Sequence, residues 1–216
     1  MIKRELYMNR IRPFIGGELI KVMTGIRRSG KSVMLELIKE ELAEAGVAPS
    51  QMISINFEDM RYSHLQTATA LHDEIIKRAE GIEGKAYLFF DEIQEVEGWE
   101  KCVNSLRVAL DCDIYITGSN AKLLSGELAT YIGGRYVEFV IYPFSFAEFL
   151  ELYHTIAPSD SIQQCFQKYL LAGGMPYLAN LRYEEEPSRQ YLTDLFNSVQ
   201  PVSYTHLRAH ETRHDL

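Results

Sequence analysis

The sequence predicts an α/β fold, in which a mostly parallel sheet carries helices on both faces and a small helical segment follows. Three observations predict this class. Short apolar runs alternate with stretches of helical periodicity as far as about residue 143, a pattern typical of repeated β-α units. One run, "AYLFF", is continuously apolar, as strands buried on both faces are. After residue 145 only helical patterns remain. We therefore expect a domain over 1–144 and a helical subdomain over 145–200.

The predicted elements alternate regularly along the chain. An N-terminal helix is expected near 4–14, and the apolar run "LIKVM" leads through a glycine-rich turn into a helix that ends at Gly46. The strand "MISINFED", a helix over 68–79 and the strand "AYLFFDE" follow. Another helix, with Trp99, Val103, Leu106 and Leu110 on one stripe, precedes the strands "DIYITGS" and "YVEFVIY". Three further helices are predicted from "FSFAEFLELY", "SIQQCFQKYLLAGG" and "SRQYLTDLFNSV".

Composition places the chain among soluble globular proteins, since 46% of it is apolar and 24% is charged. The net charge of −8 gives no general reason to expect nucleic-acid binding. Three widely spaced cysteines fit a reducing compartment better than a disulfide framework. There is no secretory leader pattern and no apolar run of the roughly 18 residues that a membrane span needs. We expect a cytoplasmic protein that makes no membrane contact.

A local basic run near the N-terminus is an exception to the acidic balance. We interpret it as the solvated face of an amphipathic helix. The alternative is that its side chains contact DNA phosphates. The run consists of Lys3, Arg4, Arg10 and Arg12.

One glycine-rich segment satisfies the pattern G-x-x-x-x-G-K-[ST] and lies between a predicted strand and a predicted helix. Such a loop turns backbone N–H groups toward phosphate oxygens, and the helix N-terminus adds partial positive charge. Lys31 is expected to reach the β and γ phosphates of a nucleotide, and Ser32 to coordinate Mg²⁺. The full predicted phosphate-binding set is Gly25, Ile26, Arg27, Arg28, Ser29, Gly30, Lys31, Ser32 and Val33.

A second motif, "YLFFDEIQ", places Asp91 and Glu92 at the carboxyl end of a strand predicted to be buried. Ligands of open α/β sheets bind at that edge. Asp91 is expected to hold the Mg²⁺ shell, and Glu92 to polarise a water for attack on phosphorus. An apolar run that ends in Asp-Glu is weak evidence for a nucleotide site when it stands alone. It becomes strong evidence here, because it follows the glycine-rich loop by about 60 residues.

Three further residues are weaker catalytic candidates. Ser119 or Asn120, in "TGSN" after the next strand, could sense the γ-phosphate, although ordinary helix capping explains them equally well. Arg135, in "GGRY", could present a cation to the nucleotide of a neighbouring subunit, or could be a surface arginine in a turn.

Several blocks together resemble a known family. "GIRRSGKS", "INFED", "LFFDEIQEVEGWEKCVNSL", "TGSNAKLLSGELATYIGGRY", "YPFSFAEFL" and "AGGMPYL" are similar to the prokaryotic AAA-type P-loop ATPases that carry a C-terminal domain of unknown function. The resemblance extends over roughly 10–199. It implies an ASCE-type sheet, with another strand between the P-loop strand and the Asp-Glu strand. It also implies ATP rather than GTP, which agrees with the absence of an N-K-x-D segment.

The C-terminus departs from that family. Its "HETRH" fits the zinc-hydrolase pattern H-E-x-x-H through His210, Glu211 and His214, with His206 one turn earlier. However, the pattern has no downstream third ligand and no second shell to orient it. The segment 201–216 resembles translated sequencing adapter, and we expect it to be a non-native tail. We therefore reject the zinc-hydrolase hypothesis.

The leading functional hypothesis is an ATPase that hydrolyses ATP with Mg²⁺ and acts as a nucleotide-driven switch on an unidentified protein partner. The first alternative is phosphoryl transfer to a small acceptor, which the adjacent Asp91 and Glu92 favour less than water activation. The second is a nucleotide-binding regulator, or a DNA-associated module, with little turnover. Assembly into a homo-oligomer stays open, since a role of Arg135 in trans would require it.

Overall fold

The structure, a computed structural model, describes residues 2–118 and 132–211, with side chains as far as residue 198. The chain divides into two compact units, Met1–Pro143 and Phe144–Leu216. The sequence-based boundary was placed after residue 144. Among the described residues, no helix combines the length and the apolar character that crossing a membrane requires.

The first unit is built on a five-stranded parallel sheet, which confirms the predicted class. Its strands are β1 (Ile20–Thr24), β2 (Met52–Asn56), β3 (Ala86–Asp91), β4 (Cys112–Thr117) and β5 (Tyr136–Val140). They lie in the order β2-β3-β4-β1-β5, and every neighbouring pair is parallel. The strand β4 therefore separates β1 from β3, as the family resemblance implied.

Four helices of the first unit lie near their predicted positions. They are α1 (Glu5–Ile11), α2 (Lys31–Glu44), α3 (Ala68–Ala79) and α4 (Trp99–Ala109). Single turns of 3-10 helix extend α1 through Phe14 and follow β3 at Ile93–Glu95. Thr67 caps α3 by accepting a hydrogen bond from the N–H of Ala70, which explains where that helix begins.

The helices cover both faces of the sheet, as predicted. On one face, Leu71 of α3 and Val103 of α4 pack in a cluster with Phe90 of β3. On the other face, Met34 of α2 packs in a cluster with the neighbouring strand residue Phe89. Consecutive side chains of a strand point to opposite faces, so β3 is apolar at nearly every position. Burying each such side chain stabilises the fold by about 1.5–3 kcal/mol.

A buried ion pair lies within this sheet. Lys21 of β1 and Asp113 of β4 are both fully buried, and their Nζ and Oδ1 atoms are 2.5 Å apart. The Asp113 carboxylate also accepts hydrogen bonds from the N–H of Gly16 at 2.6 Å and from the hydroxyl of Tyr115 at 2.7 Å. Each partner therefore compensates the desolvation of the other.

The second unit contains helices only in its described part, as predicted. They are α5 (Phe146–Tyr153), α6 (Ile162–Ala172) and α7 (Glu185–Glu211). Capping boxes begin α5 at Ser145 and α6 at Ser161. Gly173 ends α6, and a Cβ at Gly174 would lie 2.0 Å from the carbonyl oxygen of Phe144, so Gly174 has no room for a larger side chain.

The described part of the predicted tail, residues 201–211, continues the preceding helix. The helix α7 continues past residue 201 to Glu211, so the start of the predicted tail is not a boundary of secondary structure. The side chains of His206, His210 and Glu211 are outside the described part, and His214 lies outside the described residues.

The N-terminal basic run is not uniformly solvated, which corrects our interpretation. Arg4 is 2% exposed, while Lys3 and Arg10 are exposed. Arg12 forms ion pairs with Glu5 at 2.8 Å and with Glu41 at 2.9 Å. Two of the four cations, Arg4 and Arg12 on either side of α1, are thus engaged within the protein.

Candidate nucleotide-binding site

The candidate site lies at the carboxyl edge of the parallel sheet. The strands β1, β3 and β4 end there at Thr24, Asp91 and Thr117, and all three side chains are buried. Because β4 lies between the other two strands, Thr117 stands between the glycine-rich loop and the acidic pair. Parallel sheets collect ligands at this edge.

The glycine-rich loop, hereafter the P-loop, connects β1 directly to α2. Gly25 has φ 145°, and a Cβ there would lie 2.2 Å from the carbonyl oxygen of Ile141. Gly30 has φ 102° and precedes the first residue of α2. Both positions therefore require glycine, one for close approach and one for backbone conformation. Arg28 adopts a left-handed conformation with φ 67°.

Lys31 is buried at the N-terminus of α2, where its ammonium group faces the loop. Its Nζ donates to the carbonyl oxygens of Gly25 at 3.3 Å and Ile26 at 3.4 Å. The same atom lies 3.5 Å from Oε1 of Glu92. The lysine thus joins the loop to the acidic pair.

Asp91 is buried beside two hydroxyl groups. The Thr117 hydroxyl donates to its Oδ1, and the side chain of Ser32 lies nearby. Burial raises the pKa of Asp91, and the hydroxyl groups of Thr117 and Ser32 oppose the rise. The structure therefore brings together the two residues that were predicted to hold Mg²⁺. A carboxylate and a hydroxyl are hard oxygen donors, which fits that ion.

Glu92 is held in a fixed orientation directly after β3. Its backbone is left-handed with φ 54°, and its N–H donates to Oγ1 of Thr117 at 3.0 Å. The Oε2 atom of its carboxylate accepts a hydrogen bond from Nε2 of Gln94 at 2.5 Å. The carboxylate is therefore directed by Gln94 on one oxygen and by Lys31 on the other.

Gln94 was not singled out as a site residue from the sequence. Thr117 was considered only as the first residue of the candidate segment "TGSN", in which Ser119 and Asn120 were the predicted site residues. Those candidates, Ser119 and Asn120, lie outside the described residues. For Gln94 the signal was its position two residues after Glu92 within "DEIQ".

The remaining predicted loop residues have different environments. Arg27 is exposed and pairs with Glu58 at 2.9 Å, and Ile26 and Val33 are exposed apolar side chains. Ser29 is fully buried, and its hydroxyl oxygen has no hydrogen-bond partner among the described residues. A buried donor of this kind next to Gly30 is suited to a ligand oxygen.

Arg135 is not brought to the P-loop of its own chain. It precedes the first residue of β5, where its carbonyl accepts from the N–H of Ile20 at the start of β1. The loop follows the far end of β1, about 16 Å along a five-residue strand at 3.3 Å per residue. Its guanidinium donates to Asn104 at 2.8 Å. A role in trans therefore stays a prediction.

Comparisons with known proteins agree with this architecture. A family model described as an AAA domain matches residues 18–150. An uncharacterized protein of Haemophilus influenzae is 41% identical over 200 residues, covering 92% of this chain and 49% of that protein. An uncharacterized protein of Methanocaldococcus jannaschii is 34% identical over 189 residues, covering 82% and 41% respectively. The chain thus spans half or less of the length of these relatives.

Two solved structures share the fold. The ORC1 protein of Aeropyrum pernix, in complex with DNA, matches with a TM-score of 0.50 and 17% identity, covering 72% of this chain and 49% of that one. A variant of RuvB from Thermotoga maritima matches with a TM-score of 0.53 and 16% identity, covering 82% and 57%. At this level of identity the likeness concerns the fold alone.

Proposed function

This chain belongs to the AAA-domain family, and on that premise we propose that it binds ATP with Mg²⁺ and hydrolyses it, as a nucleotide-driven switch for a protein partner. One observation carries the proposal: Lys31, the pair Ser32 and Asp91, and the oriented carboxylate of Glu92 converge at the carboxyl edge of one sheet. These are the groups that phosphoryl transfer to water requires.

The loop and Lys31 supply phosphate binding in this proposal. The positive end of α2 and the backbone N–H groups of the loop attract anionic oxygens. The Lys31 ammonium, which now donates to two loop carbonyls, would exchange those weak bonds at 3.3 and 3.4 Å for phosphate oxygens. Bonds to charged acceptors are stronger than bonds to carbonyls, so the exchange favours the bound state.

Ser32 and Asp91 would hold the metal ion through their oxygen atoms. A bound Mg²⁺ would supply positive charge that offsets the negative charge developing on the phosphate oxygens. Asp91 is suited to this role because its carboxylate is desolvated and therefore gains from a nearby cation. Ser32 is exposed at the start of α2 and can turn from Asp91 toward a ligand.

Glu92 is the proposed general base. Its carboxylate would accept a proton from the attacking water, while Gln94 keeps Oε2 in place. In the structure Oε1 lies near Lys31. Movement of Lys31 to the phosphates would release that oxygen for the water. Nucleotide binding and alignment of the base are thereby linked through one side chain, which supports a switch.

Action on DNA through the N-terminal basic run loses support. Arg4 is buried and Arg12 is paired with two glutamates, which leaves Lys3 and Arg10. A homo-oligomer in which Arg135 completes a neighbour's site stays part of the proposal, because its guanidinium is far from its own P-loop.

Phosphate release from ATP tests the proposed hydrolysis. We expect release that depends on Mg²⁺ and that falls about 10²–10⁴-fold in Glu92→Gln, the usual contribution of a general base. The matched control is Glu95→Gln, which makes the same change at an exposed position three residues later. Phosphate on an added small acceptor would favour a kinase, and tight ATP binding without release would favour a regulator.

A further inference from the structure

Arg4 is a buried arginine in the N-terminal segment, immediately before α1. Its guanidinium donates to two backbone carbonyls: to Ser29 through Nη1 at 3.0 Å and to Tyr142 through Nη2 at 2.8 Å. Ser29 belongs to the P-loop, and Tyr142 follows β5. Arginine is rarely buried unless its donors are satisfied. One side chain thus ties two distant parts of the first unit together.

The position of this guanidinium is fixed by further contacts. Its carbon lies 4.6 Å from the centroid of the Tyr7 ring, at a distance suited to cation–π attraction. The Tyr7 hydroxyl accepts a hydrogen bond from the N–H of Tyr142 at 3.0 Å. The backbone of Arg4 is left-handed, with φ 46°, a costly conformation that the surroundings must maintain.

Holding the carbonyl of Ser29 also orients the next N–H. In a trans peptide, the carbonyl and the N–H of the following residue lie in one plane and point in opposite directions. The peptide between Ser29 and Gly30 is trans. Because Arg4 fixes the Ser29 oxygen, the N–H of Gly30 must point away from Arg4.

The same loop is braced at its other end. A Cβ on Gly25 would lie 2.2 Å from the carbonyl oxygen of Ile141, so loop and segment are in close contact there. The N–H of Ile141 donates to the carbonyl of Thr24 at 2.7 Å. The loop therefore meets the segment after β5 at both ends, directly at Gly25 and through Arg4 at Ser29.

We propose that Arg4 is a positioning residue for the P-loop. By holding the Ser29 carbonyl, Arg4 sets the direction of the Gly30 N–H before a nucleotide arrives. This inference rests on the proposed function, because the ligand is the triphosphate of ATP. An N–H that is already oriented binds without paying the cost of ordering the loop. The guanidinium also adds positive potential behind the loop.

The affinity for MgATP in Arg4→Met and Arg4→Lys tests the proposal. Methionine keeps an apolar stem and removes every donor, so we expect an affinity roughly tenfold or more below the wild type, since charge-assisted bonds are strong. Lysine has a compact charge that cannot form both bonds, so we expect an intermediate loss. The kcat at saturating ATP should fall less than the affinity.

The matched control is Arg12→Met, which also loosens the N-terminal segment but removes bonds to Glu5, Asn9 and Glu41, none of which belongs to the P-loop. Its melting temperature should fall while its ATP affinity stays near that of the wild type. Wild-type affinity in Arg4→Met, or losses of affinity in both variants that match their losses of melting temperature, would overturn the proposal.

Two further outcomes are also decisive. If Arg4→Met does not fold, Arg4→Lys decides: weakened ATP binding supports the proposal and wild-type binding overturns it. If the wild type itself does not bind MgATP, the proposed function fails and this inference fails with it. If the wild type and Arg4→Met bind MgATP equally well, the proposed role of Arg4 is overturned and the proposed function stands.

Discussion

Thr117 bonds to both members of the acidic pair: its Oγ1 accepts the backbone N–H of Glu92 at 3.0 Å, and its hydroxyl donates to Asp91. One side chain at the end of β4 therefore sets the position of the proposed metal ligand and of the proposed base. Both bonds lie within the protein.

We predict that Thr117→Val lowers kcat about 10–100-fold while the affinity for ATP changes little. Valine has nearly the same shape but leaves the N–H of Glu92 without its acceptor, and small misplacements of a base are costly. Steady-state kinetics measure the effect. Thr117→Ser keeps the hydroxyl and should retain most activity. Equal losses in the two variants would point to packing rather than to hydrogen bonding.

Gln94 is predicted to act through Glu92. Gln94→Leu keeps the bulk of the side chain but removes the donor to Oε2, so kcat should fall roughly tenfold at unchanged ATP affinity. A double-mutant cycle checks the coupling. In the Glu92→Gln background, Gln94→Leu should have no further effect on phosphate release. Independent, additive losses would contradict the role assigned to Gln94.

Asp91 is predicted to cost stability in the absence of nucleotide. Burial raises its pKa in the folded state, so its carboxylate form opposes folding at neutral pH. Asp91→Asn removes that cost, and each 1 kcal/mol gained raises Tm by about 2–4 °C in a chain of this size. Thermal unfolding at pH 7.5 should show the gain.

The gain should shrink as the pH falls. Below the ordinary pKa of aspartate, about 3.9, both states are protonated and the cost of Asp91 disappears; it is complete only above the raised pKa. The difference in Tm between Asp91→Asn and the wild type should therefore be smaller at pH 5 than at pH 7.5. A difference that grows on acidification would contradict the assigned environment.

The buried pair in the sheet gives a prediction about stability alone. Lys21→Met leaves the carboxylate of Asp113 buried without its cation, which should cost about 3–5 kcal/mol of unfolding free energy. Adding Asp113→Asn should recover part of that loss, because the amide oxygen still accepts from Gly16 and Tyr115. Urea unfolding measures both. A double variant less stable than Lys21→Met would contradict this account.

Much of the fold could be predicted because it depends on local pattern. Alternating apolar runs and helical stripes predicted the five strands and their helices, and the P-loop and "DEIQ" motifs predicted the carboxyl edge. Which other residues support the site at that edge could not be predicted, because it depends on contacts between residues distant in sequence. Thr117 acquires its role because β4 lies beside β3, and Arg4 is buried because its partners lie 25 and 138 residues away. Arg135 lies far from the P-loop because it precedes β5, at the opposite end of the sheet. The motif "GGRY" does not indicate on which end of the strand the arginine lies.

Calorimetric titration with ATP and Mg²⁺ tests the central claim most directly. The wild type should bind one ATP per chain, Lys31→Ala should lose most of that affinity, and Lys39→Ala, on the same helix but paired with Glu36, should bind like the wild type. Absence of ATP binding by the wild type, or binding that Lys31→Ala leaves unchanged, would contradict the assignment of this sheet edge as a nucleotide site.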